Sequence, residues 1–221
     1  MQNPYQVVHD FESALCEYTG APYCVTTTSC TMAILLACAY YRTMGPGHTA
    51  LYRALAEDIT VTIPSRTYVG VPMSVIHAGF KVRFEDVLWE GGYALRPLPV
   101  VDSARHLTRG MYYTMTDLQE EYDLFVCLSF HPTKHLGIST GGGAILHNNK
   151  WADKWLRMAR FDGRQEGIEP RKQESWVMGY HANMSPMAAA EGLLRLSTLP
   201  RNNDPLPNSD YPDLRKLEIF K

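Results

Sequence analysis

Cysteine is scarce here. The 221 residues contain five, Cys16, Cys24, Cys30, Cys38 and Cys127, an odd number with no CxxC spacing. That pattern excludes a disulfide framework and points to free thiols, mostly in apolar segments, in a reducing compartment. The eight histidines are scattered, so no zinc-ligand cluster stands out. No apolar run approaches the ~20 residues that cross a bilayer as a helix. The first residues, Met1-Gln2-Asn3-Pro4-Tyr5, lack the basic-then-apolar pattern of a secretory signal, and a cytoplasmic location is the expectation. A formal charge of −2 gives no electrostatic footprint for nucleic acid or an anionic membrane. No internal repeat is found. The glycine run Gly141-Gly142-Gly143 comes without GxGxxG or GxxxxGK[ST], so a generic nucleotide-binding reading is weak.

What the chain does carry is an alternation of strand-like and helix-like segments. Val7 to Tyr18 has helical apolar spacing and stops at Gly20. Tyr23–Thr27 reads as a strand and Met32–Tyr41 as an apolar helix, followed by a loop at Gly45-Pro46-Gly47. Ile59–Pro64 is a strand, Val69–His77 a helix, Lys81–Asp86 an edge strand, and Pro99–Asp102 a buried strand. Leu124–Leu128 and Ala144–Leu146 are further strands. Asn149–Phe161 is a helix with Trp151, Trp155, Leu156 and Ala159 on one face. Ser185-Pro186 caps a last helix, Met187–Leu196. The pattern predicts an α/β fold with a mainly parallel sheet. One domain is expected over residues 1–199. The proline-containing residues 200–221 are expected to form an extended C-terminal tail.

Four strand ends carry polar groups. Thr28-Ser29-Cys30-Thr31, between a strand and a helix, is either an N-cap or an anion site of free N–H groups and hydroxyls. Tyr68, at a strand-to-helix turn, is either an ordinary aromatic or the cover of a planar ligand. Asp102 ends a buried strand, where it serves as a cap or as a functional acid. Lys134 follows a buried strand in Ser129-Phe130-His131-Pro132-Thr133-Lys134. It is either a solvated lysine or a desolvated nucleophile toward an aldehyde. Pyridoxal 5′-phosphate requires all four groups: a phosphate cup, a ring cover, a carboxylate at the pyridine nitrogen and a lysine.

In order and wording these segments resemble the DegT/DnrJ/EryC1/StrS sugar aminotransferases, of the aspartate-aminotransferase-like fold. Thr28–Ile34 resembles the family's Ser-Gly-Thr-x-Ala-Leu turn, Pro64–Gly70 its Pro-x-x-Thr-aromatic-Val-Ala segment, and Ala78–Asp86 its Ala-Gly-x-x-Pro-x-Phe-x-Asp strand. Val101-Asp102-Ser103-Ala104 resembles Glu-Asp-Ala-Ala, Ser129–Lys134 Ser-Phe-His-x-x-Lys, and Gly179–Ser185 Gly-Tyr-Asn-x-[Arg/Lys]-Met-[Ser/Thr]. The resemblance runs from about Phe11 to Leu196. It implies the large domain of a type I transferase, with a reduced central sheet flanked by helices and the C-terminal small domain largely missing.

It further implies an aminotransferase that moves an amino group from a donor such as glutamate to a nucleotide-linked keto-sugar. Lys134 becomes the Schiff-base lysine and proton carrier, Asp102 the partner of the pyridine nitrogen, and Tyr68 the ring cover. Ser29, Cys30, Thr31 and Ser129 become phosphate ligands. A lysine at 134 stands against the dehydratase branch, which has histidine there. The family's site lies at a dimer interface, so a homodimer is implied, with Asn183 or His181 reaching the partner's phosphate. Two departures stand out: Cys30 replaces the usual glycine, and Arg105 replaces the Gln or His near the cofactor's phenolic oxygen. Gly141–Gly143 reads as close packing behind the lysine. The alternative to an enzyme is a non-catalytic cofactor-binding or interaction module derived from this family.

Overall fold

A computed structural model describes residues 3–44, 58–116, 123–207 and 210–221. The expected loop at Gly45-Pro46-Gly47 lies outside the described residues. A five-stranded sheet has the order β1 (Tyr23–Thr27), β7 (Gly143–His147), β6 (Phe125–Ser129), β5 (Val100–Asp102), β4 (Tyr93–Ala94). A parallel pair, β2 (Thr60–Pro64) and β3 (Lys81–Glu85), lies beside it. Thr62 N–H donates to the Arg96 carbonyl at 2.7 Å, tying β2 to the chain just after β4.

The sheet is mixed, which corrects the mainly parallel expectation. β7 runs antiparallel to both its neighbours, β4 runs antiparallel to β5, and only β5–β6 is parallel within the large sheet. The cause is the connection 130–142, which carries turns and no helix. A parallel return needs a long crossover, usually helical. Because β1 and β6 both oppose β7, they point the same way as β5. The carboxyl ends of these three strands therefore open on one edge.

Alternation in the strands feeds two cores. Val25, Phe125, Cys127 and Ile145 face α2 (Cys30–Met44), α3 (Gly70–His77) and α5 (Lys150–Ala159). Cys24, Val126, Leu128, Ala144 and Leu146 face α1 (Gln6–Thr19), α4 (Met111–Thr116) and α6 (Pro186–Thr198). All of these strand residues are at most 1 % exposed. Each such large side chain contributes ~1.5–3 kcal/mol of burial. α1 ends where Gly20 adopts φ 81° and its N–H meets the Cys16 carbonyl. In α6, a Cβ on Gly192 would lie 2.6 Å from the Phe11 ring, so this glycine lets α1 and α6 approach closely.

Helix ends are capped where the sequence places caps. Asn149 accepts from the N–H groups of Trp151 and Ala152, and Ser185 from Ala188. Trp151 departs from its expected face. It is 75 % exposed on the first turn of α5, while Ala152, Trp155, Leu156 and Ala159 are buried. All five cysteines are free. Among the described residues no helix is long and apolar enough to cross a membrane.

A buried ion network locks α1 to β1 and α5. The Glu12 carboxylate accepts from Thr26 N–H at 2.9 Å, Thr26 Oγ1 at 2.8 Å and Arg157 Nη1 at 2.6 Å, and it pairs with Arg160. Glu12 and Arg160 are 3 % and 2 % exposed.

Candidate active site

The shared edge of β1, β5 and β6 holds a cavity of about 380 Å³. Its walls show which expected residues the fold gathers. Ser29, Cys30, Thr31, Tyr68, Asp102, Arg105, Ser129 and Lys134 all line it; Asn183 does not.

After β1 the chain turns through Thr28 and Ser29 into α2. Thr28 N–H donates to the Ala182 carbonyl, and Thr27 Oγ1 donates to the Ser29 carbonyl. Ser29 Oγ accepts from Met32 N–H at 3.2 Å. The capping reading of this serine therefore holds, and the same residue also faces the cavity. The N-terminus of a 15-residue helix aims its partial positive charge at this space. Gly143 on β7 lies directly behind the turn: a Cβ there would fall 2.5 Å from Cys30 N and 2.6 Å from the Ser29 oxygen. Of the glycine run that the sequence placed behind the lysine, Gly143 packs behind the Ser29–Cys30 turn, while Gly141 and Gly142 line the cavity.

Asp102 ends β5 and is 5 % exposed. Its Oδ1 accepts from Ala104 N–H at 2.9 Å and lies 3.9 Å from Cys30 Sγ. Burial raises the carboxyl's pKa. The Ala104 N–H, the Tyr93 hydroxyl, the Lys134 charge and the Cys30 thiol pull it back. Tyr93 is the register partner of Asp102 across β4–β5, and its hydroxyl sits 2.6 Å from Thr67 Oγ1. Burial and the Asp102 charge push both the Tyr93 phenol and the Cys30 thiol well above their usual ranges. Cys30 is therefore a neutral wall of the site at neutral pH, not a thiolate.

Ser129 ends β6. Its Oγ accepts from His131 N–H at 3.4 Å, and the turn closes with Lys134 N–H donating to the His131 carbonyl at 2.8 Å. Lys134 is half-buried in the cavity wall. Tyr68 leaves β2 through the turn at Ser65–Thr67 and is 55 % exposed. A Cβ on Gly70 would come within 2.8 Å of its ring, so a glycine here leaves room for the tyrosine. Arg105 Nε donates to the Leu206 carbonyl at 3.4 Å. Asn183, on the 179–185 loop, is half-buried with a buried Oδ1 that finds no hydrogen-bond partner.

The sequence reading missed three wall residues, Thr67, Trp89 and Tyr211, and one residue behind the wall, Tyr93. Thr67 and Tyr93 support Asp102. Trp89 and Tyr211 form an aromatic pair, with ring centroids 6.3 Å apart and planes at 17°. Only a three-dimensional contact reveals Tyr211, which sits in the proline-containing C-terminal segment.

The model of the DegT/DnrJ/EryC1/StrS aminotransferase family matches residues 1–95 and 120–205. The chain belongs to this family. A UDP-4-amino-4,6-dideoxy-N-acetyl-beta-L-altrosamine transaminase of Campylobacter jejuni is 26% identical over 235 residues, covering 88% of this chain and 57% of the relative. Among solved structures, the sugar aminotransferase CalS13 of Micromonospora echinospora superposes with a TM-score of 0.65 at 16% identity, covering 87% of this chain and 60% of that one. NtdA of Bacillus subtilis, solved with bound cofactor PMP, gives 0.63 at 19%, covering 87% and 48%. The chain therefore spans about half to three-fifths of the length of these relatives. At such identities the solved structures establish the shared aminotransferase fold.

Proposed function

We propose that the chain is the cofactor-binding part of a pyridoxal-phosphate-dependent aminotransferase. It moves an amino group from an amino acid such as glutamate to a nucleotide-linked keto-sugar. One observation carries this reading: a single cavity gathers an amine, a buried carboxylate, an exposed aromatic face and a hydroxyl-lined helix N-terminus. The donor set fits the cofactor. A buried carboxylate with few donors is matched by a cationic ring nitrogen. The glycine-backed turn at Ser29–Cys30, at the N-terminus of α2, would offer main-chain N–H donors to a phosphate. When bound, pyridoxal phosphate supplies an aldehyde that exchanges with amines and a ring that accepts electrons.

The chain's own groups do the rest. Ser29, Cys30, Thr31 and Ser129 hold the phosphate through hydroxyls and main-chain N–H donors. Asp102 would keep a proton on the ring nitrogen and so maintain the ring's pull on electrons. Tyr68 would cover one ring face, and Arg105 would serve the phenolic oxygen. Lys134 would hold the cofactor through its amine, and the same Nζ would be the base that moves the proton at the donor's α-carbon. Asn183 is not among the residues that line its own cavity, and in a homodimer it would serve the partner's site.

The test is a spectrum. Purified protein reconstituted with pyridoxal phosphate develops the visible band of a lysine-linked cofactor, and L-glutamate bleaches it with release of 2-oxoglutarate. Lys134→Ala abolishes the band. A wild-type chain that forms no band, or a band indifferent to every amino donor, defeats the proposal.

A further inference from the structure

Residues 203–207 and 210–215 are held against the cavity on both flanks of Tyr211. Upstream, Leu206 N–H donates to the Arg105 carbonyl at 2.8 Å, and Asn203 Nδ2 donates to the Leu107 carbonyl at 3.0 Å. Downstream, Leu214 is fully buried and its N–H donates to the Ser65 carbonyl at 2.9 Å. Asp213 accepts from Arg215, whose Nη2 also reaches Asp86 at 3.0 Å. Ser65 and Arg105 are themselves neighbours of Tyr68 and Asp102 in sequence. The anchors therefore fasten this segment to the two turns that build the site.

Between them, Tyr211 stacks near Trp89, and both line the cavity. Trp89 commits its indole N–H to the Arg66 carbonyl at 2.9 Å and takes an edge contact from Tyr93 at 4.9 Å. With its polar edge committed, the indole offers the cavity an apolar surface. Among the described residues the Tyr211 hydroxyl has no hydrogen-bond partner. Aromatic surface at the cavity wall and one unused hydroxyl match the mixed surface of a pyranose ring, with C–H groups for the aromatic surface and hydroxyls for the phenol.

Resting on the aminotransferase reading, we propose that Trp89 and Tyr211 form the acceptor subsite, gripping the sugar ring of the nucleotide-linked substrate. The C-terminal segment is then a wall of the active site. Sugar recognition comes from within this chain, not from the cofactor-binding strand ends.

The test uses the full chain reconstituted with pyridoxamine phosphate. Calorimetry measures binding of UDP-N-acetylglucosamine, GDP-mannose and dTDP-glucose, each against its free nucleoside diphosphate. At least one sugar nucleotide binds more tightly than its diphosphate. Tyr211→Ala and Trp89→Ala weaken that sugar nucleotide about tenfold to hundredfold, the range seen when an aromatic stacking partner is truncated. They change binding of the free diphosphate less than about threefold on the same scale. Tyr211→Phe, which keeps the ring and the fold, shows a smaller loss that isolates the hydroxyl. Melting temperature and cofactor uptake report folding. Equal loss for the free diphosphate would place the pair at the nucleobase and overturn the assignment. Unchanged sugar-nucleotide binding, or no sugar nucleotide exceeding its diphosphate, also overturns it. A wild-type chain that takes up no cofactor defeats the aminotransferase reading itself, which is a separate result.

Discussion

Replacing Tyr93 by phenylalanine removes one oxygen atom from the environment of a buried carboxylate. In the folded chain that hydroxyl lies 2.6 Å from Thr67 Oγ1 and helps keep Asp102 ionised against the opposing pull of burial. A hydrogen bond to a charged group contributes ~1.5–3 kcal/mol. Its loss moves the acidic limb of any interaction that requires the Asp102 carboxylate upward by about one to two pH units. In the proposed site that interaction is the grip on the cofactor's ring nitrogen.

The assay titrates pyridoxal phosphate into apoprotein and follows the visible band across pH. The sign is fixed by which form the phenol stabilises. Tyr93 hydrogen-bonds the charged form, so Tyr93→Phe raises the Asp102 pKa further, and the carboxylate is lost at a higher pH than in the wild type. The variant's affinity for cofactor therefore begins to fall at a higher pH as the solution is acidified. The phenyl ring keeps the contact with Trp89, so the melting temperature should shift by only a few degrees. Wild-type affinity with an unmoved acidic limb would refute the claim that Tyr93 tunes Asp102. A large drop in melting temperature with an unmoved limb would show that its role is packing.

Two further substitutions probe the scaffold. Glu12→Gln leaves Arg160 uncompensated at 2 % exposure, so urea unfolding should show a loss of ~3–5 kcal/mol. Burial pushes the Glu12 carboxyl up, but Arg160, His9 and Arg157 hold it well below the usual range. Its contribution is thus complete above an unfolded-state pKa of 4.5 and fades as pH falls. The gap between variant and wild type should narrow below pH 4.5, and a constant gap would show that charge is not its source. Gly143→Ala places a methyl 2.5 Å from Cys30 N, and the Ser29–Cys30 turn must move. Cofactor uptake should fall at least about tenfold, as when a main-chain anion contact of ~1.5–3 kcal/mol is lost; unaltered uptake would remove this turn from the phosphate site.

The parts legible in the sequence are those set by local chemistry. β1, β5 and β6 announce themselves as strand-like runs ending in Thr27, Asp102 and Ser129, and the caps at Asn149 and Ser185 sit where short polar side chains precede periodic segments. Strand direction was not legible. β7 is buried on both faces, and a strand covered on both sides gives a continuous apolar run whichever way it points. β4 and α4 escaped notice because two and six residues are too few to display a period. Tyr93 and Tyr211 carry no local signal at all. One becomes a partner of Asp102 through strand register, the other reaches the cavity through contacts made about a hundred residues away in sequence.

This division follows the layout of the site. The groups assigned to the cofactor stand on strand ends and the first turn of a helix, where a few neighbouring residues determine position. The groups assigned to the sugar stand on segments placed by long-range contacts: Trp89 by Arg66 and Tyr93, Tyr211 by Ser65, Asp86 and Arg105. Within the first set, Ser29, Ser129 and Lys134 tolerate change in the C-terminal segment, because among the described residues none of the bonds that hold them involves it, whereas Arg105 is tied to it through Leu206. The second set does not tolerate such change. Cofactor uptake and acceptor binding are therefore separable at Tyr211, which anchors neither turn: Tyr211→Ala should alter sugar binding while the spectrum of the bound cofactor stays as it is in the wild type.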